Sequence, residues 1–424
     1  MKCSPIRSRL QNVALIGGAI ATTTLSLLLP VSSRSVSAAL QNSPKTVLDE
    51  VWQIVHRDYV DDSFNQVDWY EVRRELLSRD YTSRQQAYAA LRRALAELND
   101  PYTRFLDPEQ YEALSDQTAG ELSGIGLQLN LDQATQELIV GETLANSPAF
   151  RGGVQSGDRI LEIDGQSTGG MDVERAASMI RGEVGTSVVL KIQRAGEAPF
   201  DLTLVRSRIE LPTVSYNIRE EEDARIGYIQ LDEFNAHAAE QMYRALQDLS
   251  GENVEAFVLD LRGNPGGLLN ISVEIARMWI DRGTIVSTID RRGKNDIIEA
   301  TGMALTDLPL AVLVDENSAS ASEILAGALQ DNGRATIIGT QTFGKALVQA
   351  VNALSDGSGL AVTIAHYYTP KGTDINKTGI TPDITVQLTI EQEFQLTVDP
   401  ATRGTSSDPF YARAIDVLQT PIAS

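Results

Sequence analysis

Apolar residues fall into three textures along the chain, and each predicts a different kind of structure. From Pro44 to Leu114 they return every three or four residues, as in Val47, Val51, Ile54 and Val55, and again in Tyr88, Leu91, Leu95 and Leu98. That period keeps one face of a helix apolar, so the spacing predicts a helical region over 44–115. Asn99-Asp100-Pro101 closes the second set, because a proline pushes the residue before it out of the helical conformation. Thr103-Arg104-Phe105-Leu106 then leads into another short helical pattern.

At Gly120 short alternating or β-branched runs replace the helical spacing. Ile125–Leu131, Glu137–Gly141, Arg159–Ile163 and Ser187–Gln193 read as strands, with a helix over Val173–Arg181, which makes a compact β-rich module of 119–206. Arg206–Pro212 reads as a connector. Beyond it, over 207–390, strands Arg225–Gln230, Ala256–Asp260, Leu310–Val314 and Ala335–Ile338 alternate with helices Ala238–Leu249, Leu268–Ile280 and Ser320–Gln330. Such alternation predicts an α/β layer architecture, so the chain as a whole is expected to be an α/β multidomain protein. The remaining 391–424 is polar and mixed, with a short helix over Asp408–Leu418 and no chemistry of its own.

The first residues follow a different logic. Lys2, Arg7 and Arg9 precede an apolar run from Val13 to Leu29, followed by Pro30 and a serine-rich stretch ending Val36-Ser37-Ala38-Ala39. Basic, then apolar, then small is the order of a secretory signal, which predicts cleavage after Ala38, a signal peptide of 1–38 and an exported protein. A retained membrane anchor is the other reading of the same run.

Composition narrows the function classes. With 42% hydrophobic and 22% charged residues among 424, the chain matches soluble globular proteins. Its formal charge of −21 becomes more negative once the leader takes Lys2, Arg7, Arg9 and Arg34 with it, so nucleic acid is not an expected partner. Cys3 is the single cysteine and lies in the leader, which excludes a cysteine nucleophile, disulfides and thiolate metal sites from the mature chain. No cofactor and no metal is expected.

Candidate chemistry sits in three segments. His56, His237 and His366 stand in helical or strand-like contexts, and no G-x-S-x-G elbow presents a serine to them. Lys345 follows Thr342-Phe343-Gly344 and enters the apolar run Ala346–Val351, where poor solvation lowers an ammonium pKa and frees the amine to act as a base; a lysine that reaches out to solvent is the plainer reading. Asp315–Leu329 carries a strand through small residues into a helix with a Ser/Glu capping pattern, so Ser318 or Ser320 is either a simple N-cap or a nucleophile whose oxyanion meets the helix N–H groups. Asp260-Leu261-Arg262-Gly263-Asn264-Pro265-Gly266-Gly267-Leu268 is a second strand-to-helix loop able to aim backbone donors at an anion.

These segments together resemble a known family. Ser123-Gly124-Ile125-Gly126-Leu127 and the run Gly157-Asp158-Arg159-Ile160-Leu161-Glu162-Ile163-Asp164-Gly165 resemble the carboxylate-binding loop and signature of a PDZ domain, which implies that Gly124, Ile125, Gly126 and Leu127 hold a peptide C-terminus. The Leu-Arg-Gly-Asn-Pro-Gly-Gly loop, the Ser-Ala-Ser-Ala-Ser-Glu-Ile segment and the Thr-Phe-Gly-Lys segment, downstream of such a domain, resemble the carboxyl-terminal processing peptidases of the S41 serine protease family, whose protease domain is crotonase-like. The resemblance implies a serine endopeptidase with Ser320 as nucleophile, Lys345 as base, Gln349 orienting the amine and an oxyanion hole from the N–H groups of Gly266 and Ala321. Asp331 matches an acidic position sometimes given a catalytic role, and equally suits a helix C-terminal turn.

The same resemblance implies protein or peptide substrates recognised by their C-termini, with the membrane reached only through substrate or an uncleaved signal. Asn99-Asp100-Pro101-Tyr102-Thr103-Arg104-Phe105 is most similar to the photosynthetic branch, which matures the D1 precursor of photosystem II, and that implies a periplasm or thylakoid lumen. Two other classes fit parts of the chain: a catalytically silent PDZ adaptor for exported C-termini, and a crotonase-like hydrolase of acyl thioesters.

Overall fold

The computed structural model describes residues 43–419 apart from residue 223. The signal-peptide reading, its cleavage point and Cys3 lie outside the described residues. No helix among the described residues is long and apolar enough to cross a membrane.

The expected helical region forms helices Pro44–Asp58, Trp69–Ser78, Arg84–Ala96 and Pro108–Ala119. Asp68, Ser83 and Asp107 begin the last three by accepting the backbone N–H three residues on, which satisfies one orphan donor of each first turn. Leu48, Val51, Val55, Trp69, Leu91 and Leu95 bury one common face, and Leu360 and Val362 from a distant strand complete that core. Between the third and fourth helices, Arg104–Leu106 is a strand, antiparallel to Gly359–Tyr368 with Arg104 opposite Ala361.

Gly120, at φ 69, ends the fourth helix in the left-handed conformation that glycine tolerates and turns the chain into a two-stranded ribbon. Its strands are Glu121–Gly124 and Ser207–Glu210. The expected connector is therefore largely paired strand. Between the ribbon strands lies a β-module with its own core, including Ile125, Leu138, Ile160, Ile163, Leu190 and Ile192. The single strand expected over Ile125–Leu131 is interrupted: Gly126 has φ 77, a Cβ there would stand 2.3 Å from that of Ser147, and the strand resumes only at Leu127.

The α/β unit is built on a six-stranded sheet in the order Val214–Glu220, Arg225–Leu231, Ala256–Asp260, Leu310–Val314, Thr336–Gly339, Ile384–Thr385. The first pair is antiparallel and the rest are parallel. Ala256–Asp260 and Leu310–Val314 are buried at every position, as parallel strands covered on both faces must be. Helices Ala238–Gly251, Leu269–Trp279 and Ala321–Asp331 pack on one face. The other face is covered by Pro409–Gln419, whose Phe410, Tyr411 and Ala414 are buried against Tyr228, Val258 and Leu313. The short helix expected over Asp408–Leu418 in the polar, mixed segment beyond 391 is thus present and forms a wall of the core. A second sheet places Gly359–Tyr368 between Leu347–Ala353 on one side and Arg104–Leu106 and Thr284–Asp290 on the other.

Candidate active site

Two neighbouring parallel strands, Ala256–Asp260 and Leu310–Val314, end side by side, and each runs through a loop into a helix. The loops are stitched together through Asn264, which is fully buried. Its amide donates to Leu231 O at 2.8 Å, while its own carbonyl accepts Ala319 N–H at 3.0 Å and Ser322 Oγ at 2.9 Å. Ser318 Oγ donates to Leu261 O at 2.8 Å, so of the two candidate serines Ser318 is spent on the scaffold.

Ser320 is left as the residue at the mouth of the helix Ala321–Asp331, with φ 54 and ψ −111, a backbone conformation that a side-chain-bearing residue holds only under constraint. Gly266 makes this approach possible: a Cβ on it would meet Ala319 O at 2.6 Å and Ser320 Cβ at 2.9 Å. The constraint comes from Glu323, which is entirely buried. Its Oε2 accepts the N–H groups of Ser320 and Lys345, each at 2.9 Å, and its Oε1 accepts Thr342 Oγ1 at 2.5 Å and Gly344 N–H at 2.8 Å. Tyr367 adds a second tie, its hydroxyl donating to the carbonyls of both Ser320 and Lys345.

Ser320 and Lys345 line one cavity of about 480 Å³ together with Ala321, Gly267, Gln349 and Tyr102. Burial, and after it the Arg104 guanidinium, hold the Lys345 pKa below the ordinary lysine value, against the pull of Asp100 and Glu323. The ammonium position lies 4.7 Å from the centroid of the Tyr102 ring. No hydrogen bond joins Ser320 Oγ to Lys345 Nζ in this state, a gap that catalytic pairs commonly close only when substrate arrives.

Family models match the chain as peptidase family S41 over residues 225–386 and as a PDZ domain over residues 139–194. A carboxyl-terminal-processing protease of Synechocystis sp. is 42% identical over 389 residues, spanning 91% of this chain and 90% of that one. The chain belongs to peptidase family S41. It is a serine-type, carboxyl-terminal processing peptidase that carries a PDZ domain and acts on protein substrates. A chloroplastic C-terminal processing peptidase of Tetradesmus obliquus is 38% identical across 82% of this chain and 79% of its own. Among solved structures, a photosystem II D1 C-terminal processing protease superposes with a TM-score of 0.56 at 36% identity, covering 87% of this chain and 100% of that chain.

The other residues singled out for this S41 peptidase fall in different places. Gln349 lines the cavity, but its amide lies 3.5 Å from Thr363 Oγ1, which in turn donates to Asp100. Ala321 N–H opens the helix. Gly266 N–H points into its own loop and donates to Asn264 Oδ1 at 2.9 Å, whereas Gly267 is the glycine that lines the cavity. Asp331 closes the same 11-residue helix that Ser320 opens, about 16 Å away at helical rise, and it accepts Thr369 Oγ1 at 2.6 Å and Lys371 N–H at 2.9 Å. It does not line the cavity, and neither do His56, His237 or His366. In the segment Gly124–Leu127, expected to hold a peptide C-terminus, Ile125 is buried, and the carbonyls of Ile125 and Gly126 accept Ala149 and Leu144 N–H. Among the described residues no group of His, Cys, Asp and Glu could hold a metal ion.

Sequence reasoning missed Glu323 as more than a cap partner, and missed Tyr367, Tyr102 and Arg104 as cavity residues. The Glu323 signal was legible as an acid three residues beyond a helix-entry serine. The other three reach the site only through long-range pairing.

Proposed function

We propose that this S41 peptidase cleaves proteins near their C-termini through a Ser320/Lys345 dyad. The observation that carries the reading is the common anchor: a strained serine at a helix N-terminus and a desolvated lysine enter one cavity from two segments held by one buried carboxylate.

Neutral Lys345 accepts the Ser320 Oγ proton as Oγ bonds to the scissile carbonyl carbon. The resulting oxyanion is held by Ala321 N–H and by a second donor from the Gly266–Gly267 turn; Gly266 is the one the family resemblance implies, and its release from Asn264 would be needed. Protonated Lys345 then gives its proton to the leaving amine as the C–N bond breaks, and water hydrolyses the acyl-enzyme by the same route. Gln349 is positioned to orient the amine once it leaves Thr363. The PDZ loop Gly124–Leu127 receives the substrate C-terminus, and export to a periplasm or thylakoid lumen follows from the basic–apolar–small leader; the similarity to a photosystem II D1 C-terminal processing protease supports the D1 precursor as the substrate.

The test mixes the purified chain with a D1-precursor C-terminal peptide and with an unrelated protein bearing an apolar unstructured tail, with products read by mass spectrometry. Cleavage of both that disappears in Ser320→Ala and Lys345→Ala is expected. Cleavage persisting in Lys345→Ala would remove the lysine from the base role. An untouched D1 peptide beside a trimmed apolar tail would reject the D1 assignment alone.

A further inference from the structure

Resting on the proteolytic reading, we infer that Arg104 is a substrate-reading residue that binds a carboxylate on the polypeptide beside the scissile bond. Arg104 belongs to the N-terminal helical region, yet it lines the catalytic cavity with Ser320 and Lys345. Its strand explains how. Phe105 is buried in the helical core, and successive side chains of a strand point to opposite faces, so Arg104 is directed to the cavity side along with Ala361, its partner across the ladder.

Arg104 is exposed, and its guanidinium makes no hydrogen bond or ion pair among the described residues, in a chain whose net charge is −21. The nearby carboxylates are otherwise engaged. Asp100 accepts Thr103 Oγ1 and Thr363 Oγ1, both at 2.7 Å, and Glu233, which also lines the cavity, accepts the Gln117 amide at 2.5 Å. An arginine cannot shed its charge, and its planar fork matches a carboxylate. Exposed on the cavity wall and within electrostatic reach of Lys345, it is a solvated cation free to pair with a carboxylate that the substrate brings. Leu268, Leu269, Ile324 and Val348 add apolar wall to a cavity that Gln117, Thr118, Glu233 and Gln349 also line. The substrate class follows: tails with an acidic residue, or the free terminal carboxylate, a few residues from the cleaved bond.

The test uses a fluorogenic peptide whose cleavage point is located by mass spectrometry. Asp, Asn or Lys is placed in turn at each position from three before to three after the bond, in free-acid and C-terminally amidated forms. At one position Asp should exceed isosteric Asn in kcat/KM by roughly tenfold or more, the factor carried by a charge-assisted hydrogen bond. Arg104→Gln should bring that ratio near one, and Arg104→Glu should turn the preference toward Lys. Because each ratio is taken within one enzyme, a change in folding or in Lys345 basicity cancels. A preference confined to free-acid peptides assigns the terminal carboxylate, and one that survives amidation assigns the side chain. Cleavage of all peptides with no preference for Asp, or a preference unchanged in Arg104→Gln, overturns the inference and leaves the peptidase reading standing. Failure to cut any peptide, neutral ones included, overturns the proteolytic reading and this inference with it.

Discussion

Ser320 and Lys345 donate their backbone N–H groups to the same oxygen, Oε2 of Glu323, each at 2.9 Å. The carboxylate is fully buried and makes no ion pair among the described residues; four hydrogen-bond donors converge on it. It fixes the backbone position of both residues, and its charge also pulls the Lys345 pKa upward.

Glu323→Gln should therefore damage catalysis more than binding. An amide can accept through one oxygen only, so its NH2 would face either the Ser320 and Lys345 N–H groups or the Thr342 hydroxyl and the Gly344 N–H. Each group left unsatisfied costs about 1–3 kcal/mol, so the melting temperature falls. Displacing the nucleophile or base by an ångström lowers kcat by on the order of 100-fold. Steady-state kinetics on one peptide check this: KM should stay within a few-fold of the parent while kcat drops, and an unchanged kcat would show that the shared anchor does not govern the geometry.

A depressed lysine pKa has consequences for both rate and stability. On the proposed mechanism the neutral amine is the working form, so kcat/KM should rise with pH along a limb whose midpoint lies below that of free lysine. Arg104 is the second cause of the depression, so Arg104→Gln should move that limb to higher pH. On the stability side the folded chain binds fewer protons than the unfolded chain between the two pKa values, and stability rises as pH climbs through that window. Below it, where both forms are protonated, the desolvated ammonium costs stability, and Lys345→Met should melt higher than the parent near neutral pH while losing activity. A lower melting temperature for Lys345→Met would mean the ammonium is well solvated after all.

Asp331 offers a sharper separation of roles. Its bonds to Thr369 and Lys371 pin the end of the nucleophile helix opposite Ser320. Asp331→Asn should lower thermal stability by about 1–2 kcal/mol, the worth of hydrogen bonds to a charged group, and leave kcat/KM of the folded enzyme within a few-fold of the parent. A loss approaching that of Ser320→Ala would restore the catalytic role that family resemblance implies.

Local pattern made the central strands readable: Ala256–Asp260 and Leu310–Val314 are short apolar runs ended by turn residues, and they are fully buried in the sheet. The desolvation of Lys345 was legible for a related reason, since an ammonium leading an apolar strand is poorly solvated, and it does line the cavity with its pKa lowered by burial. Arg104 was not, because its place beside Lys345 is a product of pairing with Ala361, far along the chain, and nothing in Thr103-Arg104-Phe105 announces that partner. Gly126 broke an expected strand through a contact with Ser147 that no alternation pattern encodes.

Asp408 was the least legible of all, and it yields the last prediction. It lies in a polar, mixed segment in which no chemistry was expected, yet it is fully buried and faces Arg262, which is itself buried at the start of the Gly-rich loop. Arg262 Nη1 and Nη2 donate to Asp408 at 3.0 and 2.7 Å, its Nε donates to Asp260 at 2.9 Å, and Tyr228 OH donates to Asp260 at 2.6 Å. Two carboxylates share one guanidinium, so the two ways of breaking the cluster differ. Asp408→Asn leaves a one-to-one pair, whereas Arg262→Met strands two buried anions. Breaking a buried pair by removing one partner costs about 3–5 kcal/mol, and Arg262→Met should lie at or beyond the upper end, with Asp408→Asn well below it. Urea unfolding of the two variants, with the shift in midpoint converted through a common slope, measures the order directly. Equal destabilisation would mean that water or protonation relieves the stranded pair, and that the C-terminal segment holds the loop by packing of Phe410 and Tyr411 instead.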